Sequence, residues 1–264
     1  MVTAGKGSPG VTTTAVALAA VWPRPALLAE CDPAGGDLPA LLPGSGGAVL
    51  TATRGVVSLA AAARTQAHPN IDDHVQVVDG GLPVLAGAAS AAQVAALAPS
   101  WPAVIDSLAG LEGADVIVDC GRYSPDDPTG LLIGVSDLTL VVCRATAASV
   151  GHAREVLVAL GRRGDGSRPP DAPVAVVVVG DQSEAREVGG ALAPHTPAFV
   201  AALDHDPTAA AGLCGAWSRR LDRSRLVSAA RVVARQADHT LPAGAAPRAV
   251  PAGPPVHAVL GVVR

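Results

Sequence analysis

The residues best suited to chemistry lie in a glycine-rich stretch near the start of the sequence. Gly5 to Thr12 reads G-K-G-S-P-G-V-T. Its spacing matches the P-loop pattern G-x-x-x-x-G-K-[ST], with Val11 in place of the lysine, and also the dinucleotide pattern G-x-G-x-x-G, formed by Gly5, Gly7 and Gly10. Both patterns bind phosphate because the backbone N–H groups at a helix N-terminus attract an anion. The stretch therefore predicts a phosphate site and leaves its type open.

Acidic residues at two strand ends help to separate these alternatives. Glu30 ends the apolar run PALLAE at the distance where a dinucleotide enzyme holds the ribose. Asp119 ends the run ADVIVD, where a P-loop protein holds Mg²⁺. Three successive hydroxyls, Thr12 to Thr14, occupy a helix start that dinucleotide-binding proteins fill with small or apolar residues. The P-loop interpretation is favoured, and the dinucleotide interpretation with Glu30 stays open.

Buried strands alternating with helices must position these residues. Uninterrupted runs such as VIVD, LTLVVC and VAVVVVG are typical of strands that are buried on both faces. Predicted strands cover 1–4, 25–30, 114–119, 137–143, 174–180 and 198–204, with a further extended stretch at 75–87 that turns at Gly80-Gly81. Predicted helices cover 12–21, 55–66, 91–111, 127–134, 149–162, 182–193 and 216–238. The pattern predicts an α/β fold, a doubly wound, mostly parallel sheet of about seven strands with helices on both faces.

Composition narrows the class of protein. The chain has 264 residues, of which 49% are hydrophobic and 2% aromatic, so we expect a large core of Val, Leu and Ala. A net charge of −4 argues against a protein coated with nucleic acid. We find neither a signal peptide nor an apolar run of the ~18 residues that span a bilayer, and therefore expect a cytoplasmic protein. The four cysteines lack C-x-x-C spacing, which favours free thiols.

The domain prediction is simple. Residues 1–240 are expected to form one P-loop NTPase-like domain, and the Pro/Ala-rich residues 241–264 a poorly ordered tail. The first strand has only four residues before the glycine stretch. This is short for a central strand, so either the strand is short or the coding start lies upstream of Met1.

Four segments together resemble the ParA/MinD partition and positioning ATPases. Residues 6–13, KGSPGVTT, resemble the family's deviant Walker A motif K-G-G-x-G-K-T-T. Residues 30–37, ECDPAGGD, resemble its second-strand motif D-x-D-P-x-G, and residues 116–120, VIVDC, resemble its Walker B strand. Residues 202–207, ALDHDP, are similar to its late strand and I-P-x-D type turn. The segments follow the family's order, which is more specific than any one motif.

The resemblance implies a site for ATP and Mg²⁺ and gives roles to matching positions. Lys6 matches the signature lysine, which reaches the partner's phosphates in a homodimer, and Asp32 matches the aspartate that orients the attacking water. Thr12 and Asp119 match the Mg²⁺-holding residues. Nucleotide contacts are implied for Gly7, Ser8, Pro9, Gly10, Val11, Thr12 and Thr13, and at the adenine edge for Asp206 and Pro207, near Gly180-Asp181.

Departures from the family pattern bear on catalysis. Val11 replaces the lysine that contacts the β- and γ-phosphates, so we expect severely slowed hydrolysis and weaker binding. Lys6 is the only lysine in the chain. Gly121-Arg122 replaces the usual proline after Walker B. Arg122 either supplies part of the missing positive charge or is a surface-loop arginine.

The resemblance implies an ATP-dependent dimerisation switch with weak or absent hydrolysis. It would act in chromosome or plasmid partitioning, or in positioning a secretion or pilus apparatus, with a cargo or activator protein as partner. The alternatives are a non-hydrolysing scaffold or regulatory pseudo-ATPase, and a dinucleotide-binding Rossmann enzyme that uses Gly5, Gly7, Gly10 and Glu30. The last predicted helix either contacts DNA or an anionic membrane or is a solvated face, and its six arginines are Arg219, Arg220, Arg223, Arg225, Arg231 and Arg235.

Overall fold

The structure, a computed structural model, describes residues 1–124, 128–161, 172–213 and 218–241. The strands are β1 (Val2–Ala4), β2 (Ala26–Glu30), β3 (Gln76–Val77), β4 (Pro83–Leu85), β5 (Asp115–Arg122), β6 (Thr139–Arg144), β7 (Val174–Val179) and β8 (Val200–Leu203). The helices are α1 (Val11–Val21), α2 (Leu38–Leu41), α3 (Val56–Ala62), α4 (Ala91–Ala96), α5 (Trp101–Ala109), α6 (Pro128–Val135), α7 (Ala147–Gly161), α8 (Gln182–Leu192), α9 (Pro207–Leu213), α10 (Arg219–Asp222) and α11 (Arg225–Thr240). The predicted tail lies outside the described residues from 242 onward.

All of the described strands form one sheet, in the order β3-β4-β2-β5-β1-β6-β7-β8. Every pairing is parallel except that of the edge strand β3 with β4. The predicted doubly wound, mostly parallel sheet is confirmed. The strand count is one higher than predicted because the extended stretch at 75–87 is a hairpin, which turns through two residues of positive φ, Gly80 and Gly81.

Helices cover both faces of the sheet, as predicted. The core on one face joins the sheet to α1, α9 and α11, and the core on the other face joins it to α3, α5, α7 and α8. Along β2, Leu28 belongs to the first core, whereas Leu27 and Ala29 belong to the second. This alternation buries both sides of each central strand, which is why their sequences read as continuous apolar runs. No helix among the described residues has the length and apolar character needed to cross a membrane.

Two predicted long helices are broken. The helix predicted over 91–111 is divided into α4 and α5 by a 3₁₀ turn at Ala98–Ser100. Pro99 in this turn and Pro102 in the first turn of α5 each lack an N–H donor. The helix predicted over 216–238 begins again at α11, where the Ser224 hydroxyl accepts a hydrogen bond from the Val227 N–H (3.2 Å). Where a turn was expected at 206–207, the structure has α9, and Asp206 Oδ1 caps it by accepting from the Ala209 N–H (2.9 Å).

The central strand β1 is short but fixes the position of the glycine stretch. Val2 pairs with Asp119 on one side and with Leu140 on the other. Near the start of β1, between β5 and β6, lies a cavity of about 420 Å³, and the buried Met1 amine donates to the Leu138 carbonyl (2.9 Å). Three residues of strand therefore suffice to bring the glycine stretch to the carboxyl edge of the sheet.

Candidate functional site

The glycine loop, defined here as residues 5–10, connects β1 to α1 at the carboxyl edge of the sheet. Gly7 (φ +86°) and Gly10 (φ +107°) have left-handed backbone conformations that side chains disfavour. A Cβ at either glycine would meet no atom within 4 Å, so the space beside the loop is open. No described side chain caps α1, whose first N–H groups are left for a ligand. This arrangement suits an anion such as phosphate.

Asp119 lies beside the loop and is fully buried. Its side chain is 0% exposed, and its Oδ1 accepts a hydrogen bond from the Gly121 N–H (3.1 Å). Its Oδ2 has no hydrogen-bond partner among the described residues. Burial raises the pKa of Asp119 from 3.8 to about 6, although the neighbouring Thr12 hydroxyl opposes this shift. A buried carboxylate oxygen without a partner is costly and suits a cation.

Asp32 is held against the backbone that follows Asp119. Gly121 has φ +53°, and a Cβ at that position would lie 1.9 Å from Asp32 Oδ2. Asp32 Oδ1 also accepts from the Ala34 N–H (2.7 Å). The negative charge of Asp32 contributes to the raised pKa of Asp119. Thr12, Asp32 and Asp119 therefore form one cluster, called the acidic side of the loop below.

Glu30 is buried near the acidic side and holds the backbone around it. Its Oε1 accepts from the Asp37 N–H (2.7 Å) and the Leu38 N–H (3.0 Å), and its Oε2 accepts from the Gly87 N–H (2.9 Å). The side chain is 1% exposed, and burial raises its pKa from 4.5 to about 7 despite these three bonds. Glu30 thus fixes the backbone after Asp32. The ribose contact considered from the sequence is disfavoured, because the carboxylate already accepts from three backbone N–H groups.

Basic side chains line a pocket of about 450 Å³ on the other flank of the loop. Lys6, Arg122, Arg144 and His152 are called the basic side below, and they share the pocket with loop residues 7–9. Arg122 Nε donates to the Gly7 carbonyl (3.2 Å). Arg122 is therefore attached to the loop, and Arg144 and His152 are residues that sequence reasoning missed. The available signal was the position of Arg144 at the end of β6, on the same edge of the sheet.

Val11 occupies the position of the missing lysine and points into the protein. It is 7% exposed and belongs to the core between the sheet and α1. The first turn of α1 therefore has no lysine side chain facing the loop. The cationic side chains near the loop belong to its basic side.

Other predicted site residues lie apart from the loop pocket. Pro207 begins α9, which packs against α1, and Asp206 caps α9. Asp181 caps α8 by accepting from the Ser183 and Glu184 N–H groups, which lower its pKa. Neither Asp206 nor Pro207 lines the pocket beside the loop.

The arginine-rich C-terminal region is partly neutralised. Arg225 pairs with Asp204 (2.5 Å), and Arg231 pairs with Asp222. The side chain of Arg219 lies outside the described residues. These pairs favour the solvated-face interpretation over a free cationic surface.

The acidic side fits Mg²⁺ bound together with a nucleotide. Among the described residues, no group of three His, Cys, Asp or Glu side chains could hold a metal. Mg²⁺ in phosphate sites needs few protein ligands because phosphates and waters supply the others. The unpartnered Asp119 oxygen near the Thr12 hydroxyl provides the ligand chemistry such an ion requires.

Comparisons with known proteins give the fold. No protein-family model and no curated protein matches the chain. A ParA family ATPase from Chlorobium tepidum TLS superposes with a TM-score of 0.66 at 16% identity, covering 89% of this chain and 96% of that chain. MinD from Pyrococcus horikoshii OT3, complexed with Mg-ADP, gives 0.66 at 17% identity, covering 89% and 93%. The MinC:MinD complex from Aquifex aeolicus gives 0.63 at 15% identity, covering 96% and 97%. The chain has the P-loop fold of the ParA/MinD ATPases.

Proposed function

We propose that the protein binds ATP with Mg²⁺ at the glycine loop and acts as an ATP-dependent dimerisation switch with weak or absent hydrolysis. One observation carries this proposal. The open N-terminus of α1 lies beside a buried aspartate whose Oδ2 has no partner, at the carboxyl edge of a ParA/MinD-type sheet. Phosphate would accept hydrogen bonds from the free N–H groups of α1, and Mg²⁺ would compensate the buried aspartate oxygen.

The proposed roles follow the local chemistry. Backbone N–H groups bind the phosphates at Gly7, Ser8, Gly10, Val11, Thr12 and Thr13, while Pro9 contributes only to the loop's shape because it has no N–H. Thr12 and Asp119 hold Mg²⁺, which supplies charge neutralisation at the phosphates when bound. Asp32 orients the attacking water, and Asp206 and Pro207 meet the adenine edge.

Dimerisation and partners are the further parts of the proposal. Lys6 is exposed beside the loop, where a second copy could receive it at its phosphates. The Aquifex MinD structure contains MinC, which supports a cargo or activator protein as the partner of this chain. The process is partitioning, or positioning of a secretion or pilus apparatus, in the cytoplasm. Contact of α11 with DNA or an anionic membrane is a weaker proposal, which a mobility shift at low salt tests.

Restoring the missing lysine tests the catalytic part of the proposal. Val11→Lys should raise ATP turnover at least about ten-fold, because a lysine there neutralises charge on the transferring phosphoryl group. Val11→Leu is the matched control, which adds volume without charge. Turnover and the ATP-dependent dimer fraction are measured together. No gain with the lysine, in a variant that still binds ATP, would contradict an otherwise intact catalytic site.

A non-hydrolysing scaffold is the second candidate. It is favoured by Val11, which is 7% exposed and packed in the core, so the position has become part of the packing. A dimer whose stability is the same with and without ATP would support the scaffold. The dinucleotide enzyme is disfavoured because three backbone N–H groups already occupy the Glu30 carboxylate. An NADH fluorescence titration should therefore give no change.

A further inference from the structure

Asp37 is an exposed carboxylate that the local fold does not use. It precedes α2, yet its side chain forms no capping hydrogen bond with that helix. It also belongs to none of the ion pairs between described residues. Its backbone is nevertheless held, because the Asp37 N–H donates to Glu30 Oε1 (2.7 Å). The position of the residue is therefore fixed, while its carboxylate remains available to a ligand.

Backbone contacts hold Asp37 towards the acidic side of the loop. Glu30, which accepts from the Asp37 N–H, is paired in register with Asp119 on the neighbouring strand. Gly36 permits this approach, since a Cβ there would lie 2.1 Å from Glu30 Oε2. The Gly36 N–H also donates to the Ala88 carbonyl (2.7 Å), which fixes the same turn to the chain after β4. Asp37 therefore adds a carboxylate to the surroundings of Asp119.

The charges around Asp119 are unfavourable without a cation. Asp119 is 0% exposed, and its Oδ2 has no partner among the described residues. Burial is the main cause of its raised pKa, and the charges of Asp32 and Asp37 raise this pKa further. Carboxylates that repel each other, one of them buried, are stabilised when a cation binds beside them.

The chemistry of Mg²⁺ indicates how Asp37 would act. Mg²⁺ bound with a nucleotide keeps several waters and uses only one or two carboxylates directly. Among the described residues, Asp37 does not complete a set of three side chains that could ligate a metal directly. An exposed carboxylate near the site can instead accept hydrogen bonds from the waters of the ion.

We propose that Asp37 is a further residue of the cation site, which binds the water shell of Mg²⁺ and raises the affinity for the ion. This inference rests on the proposed function and adds a residue to its site. Val11 contributes no charge at the start of α1. Neutralisation of the phosphates therefore depends more strongly on Mg²⁺, and Asp37 strengthens the binding of that ion.

The test measures the affinity for ADP, with Mg²⁺ and then in EDTA, in three proteins. ADP is the probe, so that turnover does not enter the measurement. Asp37→Asn keeps the backbone N–H and the size of the side chain but removes the charge. It should reduce the gain in ADP affinity that Mg²⁺ provides about ten-fold, a usual cost of losing a residue that acts outside the metal's own ligands. In EDTA it should bind ADP at least as tightly as wild type, because a negative charge near the phosphates is removed.

Asp106→Asn is the matched control, since Asp106 is an exposed carboxylate on α5. It should change ADP affinity under neither condition. A structural role for Asp37 would weaken ADP binding equally with Mg²⁺ and in EDTA, and that result would overturn the inference. An unchanged gain from Mg²⁺ in Asp37→Asn would also overturn it. Both results leave the proposed function intact, because wild type still binds Mg-ADP. Folded wild type that binds no ADP, or that gains nothing from Mg²⁺, would overturn the inference together with the proposed nucleotide and cation site.

Discussion

The acidic and basic sides of the glycine loop differ in how their charges are held. Asp119 is 0% exposed, and Glu30 beneath it is 1% exposed and accepts three backbone hydrogen bonds. Lys6, Arg122 and Arg144 are exposed at the ends of long side chains. The acidic side is therefore fixed by the fold, whereas the basic side can change its residues at little cost in stability.

The departures from the ParA/MinD pattern fall on both sides of the loop. Asp32, Asp119 and Thr12 match the pattern and lie on the rigid acidic side. Val11 and Glu30 depart from it at buried positions, and Arg122 departs from it at an exposed position on the basic side.

The largest expected effect is on the rigid side. Asp119→Asn should reduce the Mg²⁺-dependent part of ATP affinity about 10- to 100-fold, the usual cost of losing an outer metal partner. The same variant should be more stable than wild type, although it binds ATP more weakly. Because the folded pKa of Asp119 is raised from 3.8 to about 6, its ionised form destabilises the fold above that pH. The variant should gain up to roughly 3 kcal/mol in free energy of unfolding at alkaline pH.

Asp106→Asn is the control for Asp119→Asn, since Asp106 is an exposed carboxylate on α5. It should change neither ATP affinity nor the denaturant midpoint. A loss of both Mg²⁺ dependence and stability in Asp119→Asn would contradict the account of a carboxylate held for a cation.

Glu30 tests whether the acidic side is rigid because of buried charge. Its folded pKa of about 7 lies above its ordinary value of 4.5, so the folded state binds more protons between these values. The free energy of unfolding should therefore fall as the pH rises through this window, by up to roughly 3 kcal/mol from this group. Glu30→Gln should reduce that slope and cost about 1–3 kcal/mol at the acidic end, where its amide meets backbone donors. Urea unfolding across the window measures both, and an unchanged slope would refute the assignment.

Gly121→Ala should disturb the acidic side without removing any charge. The new Cβ would meet Asp32 Oδ2 at a backbone φ of +53°, so we expect a loss of about 2 kcal/mol in stability and about ten-fold in Mg-ATP affinity. Gly190→Ala in α8 is the matched control. Its Cβ meets no atom within 4 Å, and it should gain up to about 1 kcal/mol. Similar behaviour of the two variants would show that Gly121 does not position Asp32.

The smallest effect should appear with salt. Raising KCl from about 0.05 to 0.5 M should weaken ATP binding about three-fold, because the exposed cations beside the loop are screened. The effect of removing Mg²⁺ should change little because Asp119 is buried. Titrations at both salt concentrations measure the two quantities. If salt changed the effect of removing Mg²⁺ as much as it changed ATP binding, the acidic and basic sides would not differ in exposure as proposed.

The sheet was predictable because burial on both faces leaves a direct trace in the sequence. Runs such as VAVVVV in β7 have no polar residue to mark an exposed face. The acidic side was also predictable, since Asp32 follows β2 by two residues and Asp119 lies on β5, a neighbouring strand of the sheet. Their roles in binding stay predictions.

The basic side and the burial of Glu30 were not predictable from the sequence because they depend on contacts between distant segments. The basic side brings together Lys6, Arg122, Arg144 and His152, which are far apart in the sequence. The approach of α7 to the loop depends on the missing side chain of Gly5. Glu30 looked like a ligand residue, but its burial under residues 37, 38 and 87 could not be read from its neighbours in sequence. Helix breaks, such as the one before Ser224, depend on local capping that periodicity does not reveal.

Calorimetric titration of wild-type protein with ATP, in Mg²⁺ and then in EDTA, tests the central claim most directly. The account predicts saturable binding below millimolar ATP that weakens at least about ten-fold when Mg²⁺ is removed. Circular dichroism on the same sample establishes that the protein is folded. Folded protein that binds no ATP at millimolar concentration, with or without Mg²⁺, would contradict the claim that the glycine loop and Asp119 form a nucleotide site.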